Sequence, residues 1–159
     1  MKKLLFAGWI IVLLSACSSY DDMELGFAKS DIVGVWADST LAQPKGKLVH
    51  LLTFSENGVF VSRSESYGVY DGQDVNTLSG WSESVGNYVV SEGKMFFISR
   101  QVSGWDSFSE NAAVTTQKND QEIFEDCSYV LNKDTLTLEY TTYPADAPVR
   151  TERKYIRIE

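Results

Sequence analysis

The sequence predicts an all-β fold, an eight-stranded antiparallel up-and-down barrel, on three observations. Strand formers (Val, Ile, Thr, Tyr, Phe and Trp) recur from Ile32 to the end of the chain. Turn residues punctuate them at intervals of about ten residues, the spacing of a sandwich or barrel. Apolar residues alternate in steps of two. Leu136, Leu138 and Tyr140 share one face, and Thr135, Thr137, Glu139 and Thr141 the other. Helical spacing is confined to a short stretch around Asp22 to Lys29. A meander of consecutive strands removes its exposed edges by closing on itself.

The elements follow in order. Val33 to Ala37 opens the domain. Lys47 to Phe54 leads into Ser55-Glu56-Asn57-Gly58, where Asn-Gly marks a hairpin because both residues tolerate positive φ. Val59 to Tyr67 returns. Ser84 to Val90 turns at Ser91-Glu92-Gly93 into Lys94 to Val102. Glu122 to Leu131 turns at Asn132-Lys133-Asp134 into Thr135 to Thr142, and Val149 to Ile158 closes the sheet. A further strand is a candidate at Ala112 to Gln117. Met95-Phe96-Phe97-Ile98 is apolar on both faces, which predicts cover from a loop or a small helix. Two long connections, Tyr70 to Gly80 and Ser103 to Gln121, are candidate functional loops.

The N-terminus carries a second signal. Lys2 and Lys3 precede an apolar run from Leu4 to Leu14, and Leu14-Ser15-Ala16-Cys17 closes it. The run falls short of the roughly 20 residues of a transmembrane helix. Leu14 to Cys17 resembles the lipobox of bacterial lipoproteins. The resemblance implies a signal peptide over 1–16, lipid on Cys17 and stable anchoring, since several acyl chains hold where one does not. It leaves a tether over 17–30 and one domain over 31–159. The acids of Ser18-Ser19-Tyr20-Asp21-Asp22-Met23-Glu24 are loosely similar to surface-export signals, and Ser18 beside the cysteine points to the outer membrane, in either leaflet. With Cys17 lipidated, Cys127 has no intrachain partner and is expected to be a small apolar core residue.

The formal net charge is −8, and loss of Lys2 and Lys3 takes it to −10. That balance argues against nucleic acid and against attraction to anionic lipid. Acids and no bases populate the stretch between Glu65 and Glu92, whereas Arg150, Arg153, Lys154 and Arg157 gather in the last strand.

Asp31-Ile32-Val33-Gly34-Val35-Trp36 resembles the Gly-x-Trp start of lipocalins and of bacterial lipocalin-like lipoproteins. Leu52 to Phe60, Gly86-Asn87-Tyr88-Val89-Val90 with Gly93-Lys94, and Tyr129-Val130-Leu131 through Leu138 are similar to later hairpins of that group. The resemblance covers Asp31 to Glu159. It implies structural, barrel-closing roles for Gly34, Trp36 and a basic residue of the final strand, Arg157 or Arg153, packed across the indole.

Chemistry-bearing motifs are scarce. His50 is the single histidine and is read as a packed or rim residue; one His and one Cys are too few for a zinc site. The chain has no Gly-x-Ser-x-Gly, phosphate loop or His-Glu-x-x-His. Asp71-Gly72-Gln73-Asp74-Val75-Asn76 offers oxygens at loosely calcium-like spacing, without the closing Glu, and reads as a solvated turn. No catalytic residue, metal or cofactor is expected. Trp81 and Trp105, beside Gly and Ser, are candidate ligand or partner contacts, or else they cap the barrel mouth. Inward Phe54, Phe60, Tyr129, Leu136 and Leu138 either fill the barrel or line a pocket. The expected role is noncatalytic binding of a small apolar or amphipathic molecule by a monomer. Alternatives are an envelope-protein interaction or inhibitor module with a solid barrel, or glycan recognition by Trp81 and Trp105.

Overall fold

The computed structural model describes residues 31–41, 46–68, 74–108 and 113–159, with the side chains of 39–41 outside that set. The expected signal peptide over 1–16, Cys17, the expected tether over 17–30 with its candidate helix, and 71–73 of the acidic loop lie outside the described residues.

The described chain is all-β. Its strands are β1 (Gly34–Leu41), β2 (Lys47–Phe54), β3 (Val59–Tyr67), β4 (Leu78–Ser91), β5 (Lys94–Asp106), β6 (Thr115–Ile123), β7 (Glu125–Asn132), β8 (Thr135–Thr142) and β9 (Val149–Arg157). One 3-10 turn at Pro144–Asp146 joins the last two. Every pairing is antiparallel, and the sheet closes through β4–β5 and β1–β9. β6 and β7 both pair with β5 and follow one another across Phe124, whose φ is 55°, and Asp126, whose φ is 51°. They form one bent stave, and the barrel therefore has eight staves.

Four expectations change. β4 begins at Leu78 rather than Ser84, and β5 runs on to Asp106. The sequence there is rich in Gly and Ser, but Trp81 pairs directly with Trp105. Gly80 and Gly104 lie in the strands because the neighbouring backbone is close: a Cβ would meet the Trp105 carbonyl oxygen at 3.0 Å and that of Trp81 at 3.3 Å. The candidate ninth strand lies at Thr115–Ile123, further along than Ala112 to Gln117. Finally, Met95 and Phe97 enter the core while Phe96 points outward and is 46% exposed, so ordinary strand alternation holds.

The core sits at the end bearing the hairpin turns Ser55–Gly58, Glu92–Gly93 and Lys133–Asp134. Ile32, Trp36, Leu52, Phe54, Phe60, Tyr88, Met95, Phe97, Cys127, Leu136, Leu138 and Tyr155 are almost fully buried there. Phe54, Phe60, Tyr88 and Phe97 meet edge to face or tilted, with centroids 4.9 to 6.0 Å apart. Burial pushes the Cys127 thiol up to about 12.

Both narrow seams lie at this same end. β1 pairs with β9 only at Trp36↔Arg157 and Ala37↔Ile156, and β5 pairs with β7 only at Lys94↔Ser128. At the first seam the Arg157 guanidinium carbon lies 4.2 Å over the Trp36 ring, and Nη1 donates to the Val33 carbonyl at 2.7 Å. Trp36 Nε1 donates to the Ile32 carbonyl at 2.8 Å. A Cβ on Gly34 (φ 138°) would stand 2.5 Å from the Glu159 carbonyl oxygen and 2.7 Å from Arg157 Nη1, so the close approach of the chain's last residues needs glycine there. At the second seam Asp126 receives Lys94 and Arg150, and Arg150 also reaches Glu139 at 2.9 Å.

Candidate functional site

Away from the hairpin end the inward face changes character. Register carries one cross-strand row through six strands: Asp38, His50, Ser64, Ser82, Gly104 and Thr115. A second row holds Ser66, Gly80 and Asp106. These residues share a face with buried Trp36, Leu52 and Phe60, two or more residues further along the same strands. Among the described residues, the barrel interior is thus aromatic at the hairpin end and small and polar toward the other end.

A cleft of about 490 Å³ lies on this polar face, lined among others by Ser64, Ser66, Ser82, Gly104, Asp106 and Thr115. Gly80 and Gly104 contribute by having no side chain. Trp81 and Trp105 also line the cleft beside its glycines, while strand alternation turns their indoles toward the outer face. There the Arg63 guanidinium lies 4.5 Å over the Trp81 ring. Arg63 donates to Glu65 at 2.7 Å and to Glu83 at 3.3 Å, and the Tyr67 hydroxyl donates to Glu65 at 2.6 Å. Burial raises the Glu65 carboxyl, and the hydrogen bonds from Tyr67 and Arg63 outweigh it and hold the group below the usual carboxylate range.

The polar layer is partly self-satisfied. Ser84 Oγ donates to Ser99 Oγ at 2.7 Å. His50 Nδ1 lies 2.8 Å from Ser64 Oγ. His50 Nε2 is buried and has no hydrogen-bond partner among the described residues. Across the β1–β9 seam, Arg153 Nε stands 3.6 Å from Asp38. Burial, then the Arg153 guanidinium, depresses His50 to about 4 against the opposing pull of Asp38.

Asp38, His50 and Ser64 are the residue types of a hydrolytic triad, but their arrangement differs from one. A triad needs the acid on the imidazole nitrogen opposite the serine. Here that nitrogen is Nε2, which is unpartnered. No group of three or more His, Cys, Asp or Glu among the described residues is arranged to hold a metal. Asp74 spends a carboxylate oxygen on the Asn76 amide at 2.7 Å, an ordinary Asx turn.

No protein family, curated protein or solved structure matches this chain.

The sequence candidates separate. Phe54 and Phe60 are buried at the hairpin end, each among other rings. Tyr129 packs against that core, partly buried. Trp81 and Trp105 are cross-strand partners, and both are among the residues lining the cleft. The serine row and Asp38 were missed, and Arg153, expected as an alternative to Arg157 across Trp36, stands instead against Asp38. The signal was present as serines two apart, Ser62, Ser64 and Ser66 on β3 and Ser82 and Ser84 on β4, continuing the inward positions of Phe60 and Tyr88.

Proposed function

We propose that the protein is a lipid-anchored cell-envelope lipoprotein whose barrel binds a small amphipathic or polar molecule without catalysis. The observation that carries the binding reading is the change of the inward face from packed aromatics to a serine- and glycine-lined cleft of about 490 Å³. Ligand pockets are concave and hold a few convergent polar groups. The filled hairpin end argues against a long apolar chain threading the barrel, so the ligand sits in the serine-lined cleft. The anchor rests on the lipobox resemblance at Cys17.

Native mass spectrometry of the full chain, extracted from its host's membranes, tests the binding reading. A co-purifying molecule of discrete mass, lost when Ser82→Phe fills the cleft, is expected. A bare protein mass, together with no ligand response in solution, would overturn it. Fractionation of a Cys17→Ser variant tests the anchor: release from the membrane is expected, and retention refutes it.

A second reading has its own observation. Trp81 and Trp105 form a cross-strand pair on the outer face beside an ordered Arg63–Glu65–Glu83 network. Such an aromatic patch suits an envelope protein or glycan. Capture of that partner by the intact chain but not by Trp105→Ala, with the cleft empty, would favour it.

A further inference from the structure

His50 stands beside the cleft and shares Ser64 with it. The two are register partners on adjacent strands, so one strand spacing, about 4.8 Å, separates their backbones. Ser64 lines the cleft and also occupies His50 Nδ1. The other imidazole nitrogen is buried and unpartnered among the described residues.

The surrounding chemistry limits what can meet that nitrogen. A neutral imidazole has one N–H and one lone pair, so Nε2 offers one or the other according to what Nδ1 does with the serine hydroxyl. A ligand hydroxyl serves either tautomer. Asp38 and Arg153 face His50 as an ion pair, so their charges largely cancel and call for no ionic ligand. Asp106 is the charged residue in the cleft lining and repels anions. Ser64, Ser66, Ser82 and Thr115 supply hydroxyls that both donate and accept, and Trp81, Trp105 and Ala113 complete the lining with apolar wall.

We propose that the cleft takes a neutral, hydroxyl-rich small molecule, a polyol or short saccharide, and that one of its hydroxyls bonds His50 Nε2. This rests on the reading of the cleft as a binding site and names its ligand class.

A single histidine makes the test direct. The full chain, labelled with ¹⁵N and held in a zwitterionic, sugar-free detergent, is titrated with myo-inositol and cellobiose, and in parallel with octanoate and citrate. A saturable shift of Nε2, with Nδ1 little changed, is expected for at least one polyol. Ser82 is exposed at the cleft, so Ser82→Phe leaves the fold intact and should abolish the shift. His50→Phe should weaken polyol binding, read by tryptophan fluorescence, roughly 3- to 10-fold, the loss of one hydrogen bond. Polyol binding that moves cleft amides but leaves Nε2 unmoved overturns the His50 contact. Binding of octanoate or citrate in place of the polyols overturns the ligand class and leaves small-molecule binding standing. Binding of none of the four overturns both.

Discussion

Acidification from pH 7 to 4.5 should destabilise this barrel through His50. Burial and the Arg153 guanidinium take its pKa from 6.5 down to about 4, with Asp38 pulling the other way. The unfolded chain therefore takes up a proton on His50 as pH falls through 6.5, while the folded chain resists until about 4. Within that window the unfolded state binds more protons, so stability falls with pH; above 6.5 it is flat, and below 4 the loss is complete. A displacement of this size corresponds to about 3 kcal/mol. The ring is partly exposed, and solvent screening reduces that to roughly 1–2 kcal/mol. Urea unfolding of wild type and His50→Leu at pH 7, 6, 5 and 4.5 isolates the effect. Glu65, held low by Tyr67 and Arg63, loses its contribution only as pH falls below the ordinary carboxylate range, and does so in both proteins. The difference between the two curves should close in favour of the leucine variant as pH falls. Parallel curves, or a His50 titration near 6.5 by NMR, would refute the reasoning.

Other consequences are open to measurement. Gly86→Ala should cost about 2–3 kcal/mol in urea unfolding, because a Cβ would collide with the Ile98 carbonyl and press on the Phe60 ring at 2.9 Å; an unchanged midpoint would sink that account. Arg157→Met should cost about 2–4 kcal/mol and shift the Trp36 emission, since it removes both the stacked cation and the donors to the Val33 and Asp31 carbonyls. Cys127 should stay unlabelled by maleimide at pH 8 until the protein is unfolded, burial having raised its thiol to about 12. Labelling of the native state at a free-thiol rate would show the hairpin end to be open.

Legibility in the sequence followed locality. Lys47–Phe54, Val59–Tyr67 and Thr135–Thr142 were readable to the residue, because tight turns bound them and alternation fills them. The first halves of β4 and the second half of β5 were hidden. Gly80, Gly104 and the serines carry loop composition, and only the pairing of Trp81 with Trp105 makes those segments strands. The site was harder to read. His50 and Ser64 are 14 residues apart and meet through one hairpin register. Asp38 and Arg153 meet only because the barrel closes, which no local pattern encodes. The Gly34, Trp36 and Arg157 arrangement is legible only through the family resemblance, because its contacts cross the β1–β9 seam.

An eight-stranded barrel either fills its interior or leaves room for one small ligand. This one divides the choice along its own strands. Inward positions pass from Phe60 to Ser62, Ser64 and Ser66 on β3, and from Tyr88 back to Ser84 and Ser82 on β4. Valine or isoleucine at those serines would suit a strand better and bury more apolar surface. The serines instead create hydroxyls that must be satisfied, and His50 is left with a buried nitrogen unmet. Closure needs none of this, because both narrow seams and nearly all the buried aromatics lie at the other end. The two ends should therefore respond differently to substitution. Changes around Trp36, Phe54 and Phe60 should cost stability, and changes at Ser64, Ser66 and Ser82 should cost ligand binding while leaving the unfolding midpoint nearly where it was. Equal loss of stability at both ends would make the serine layer a structural feature and remove the reason for placing a site there.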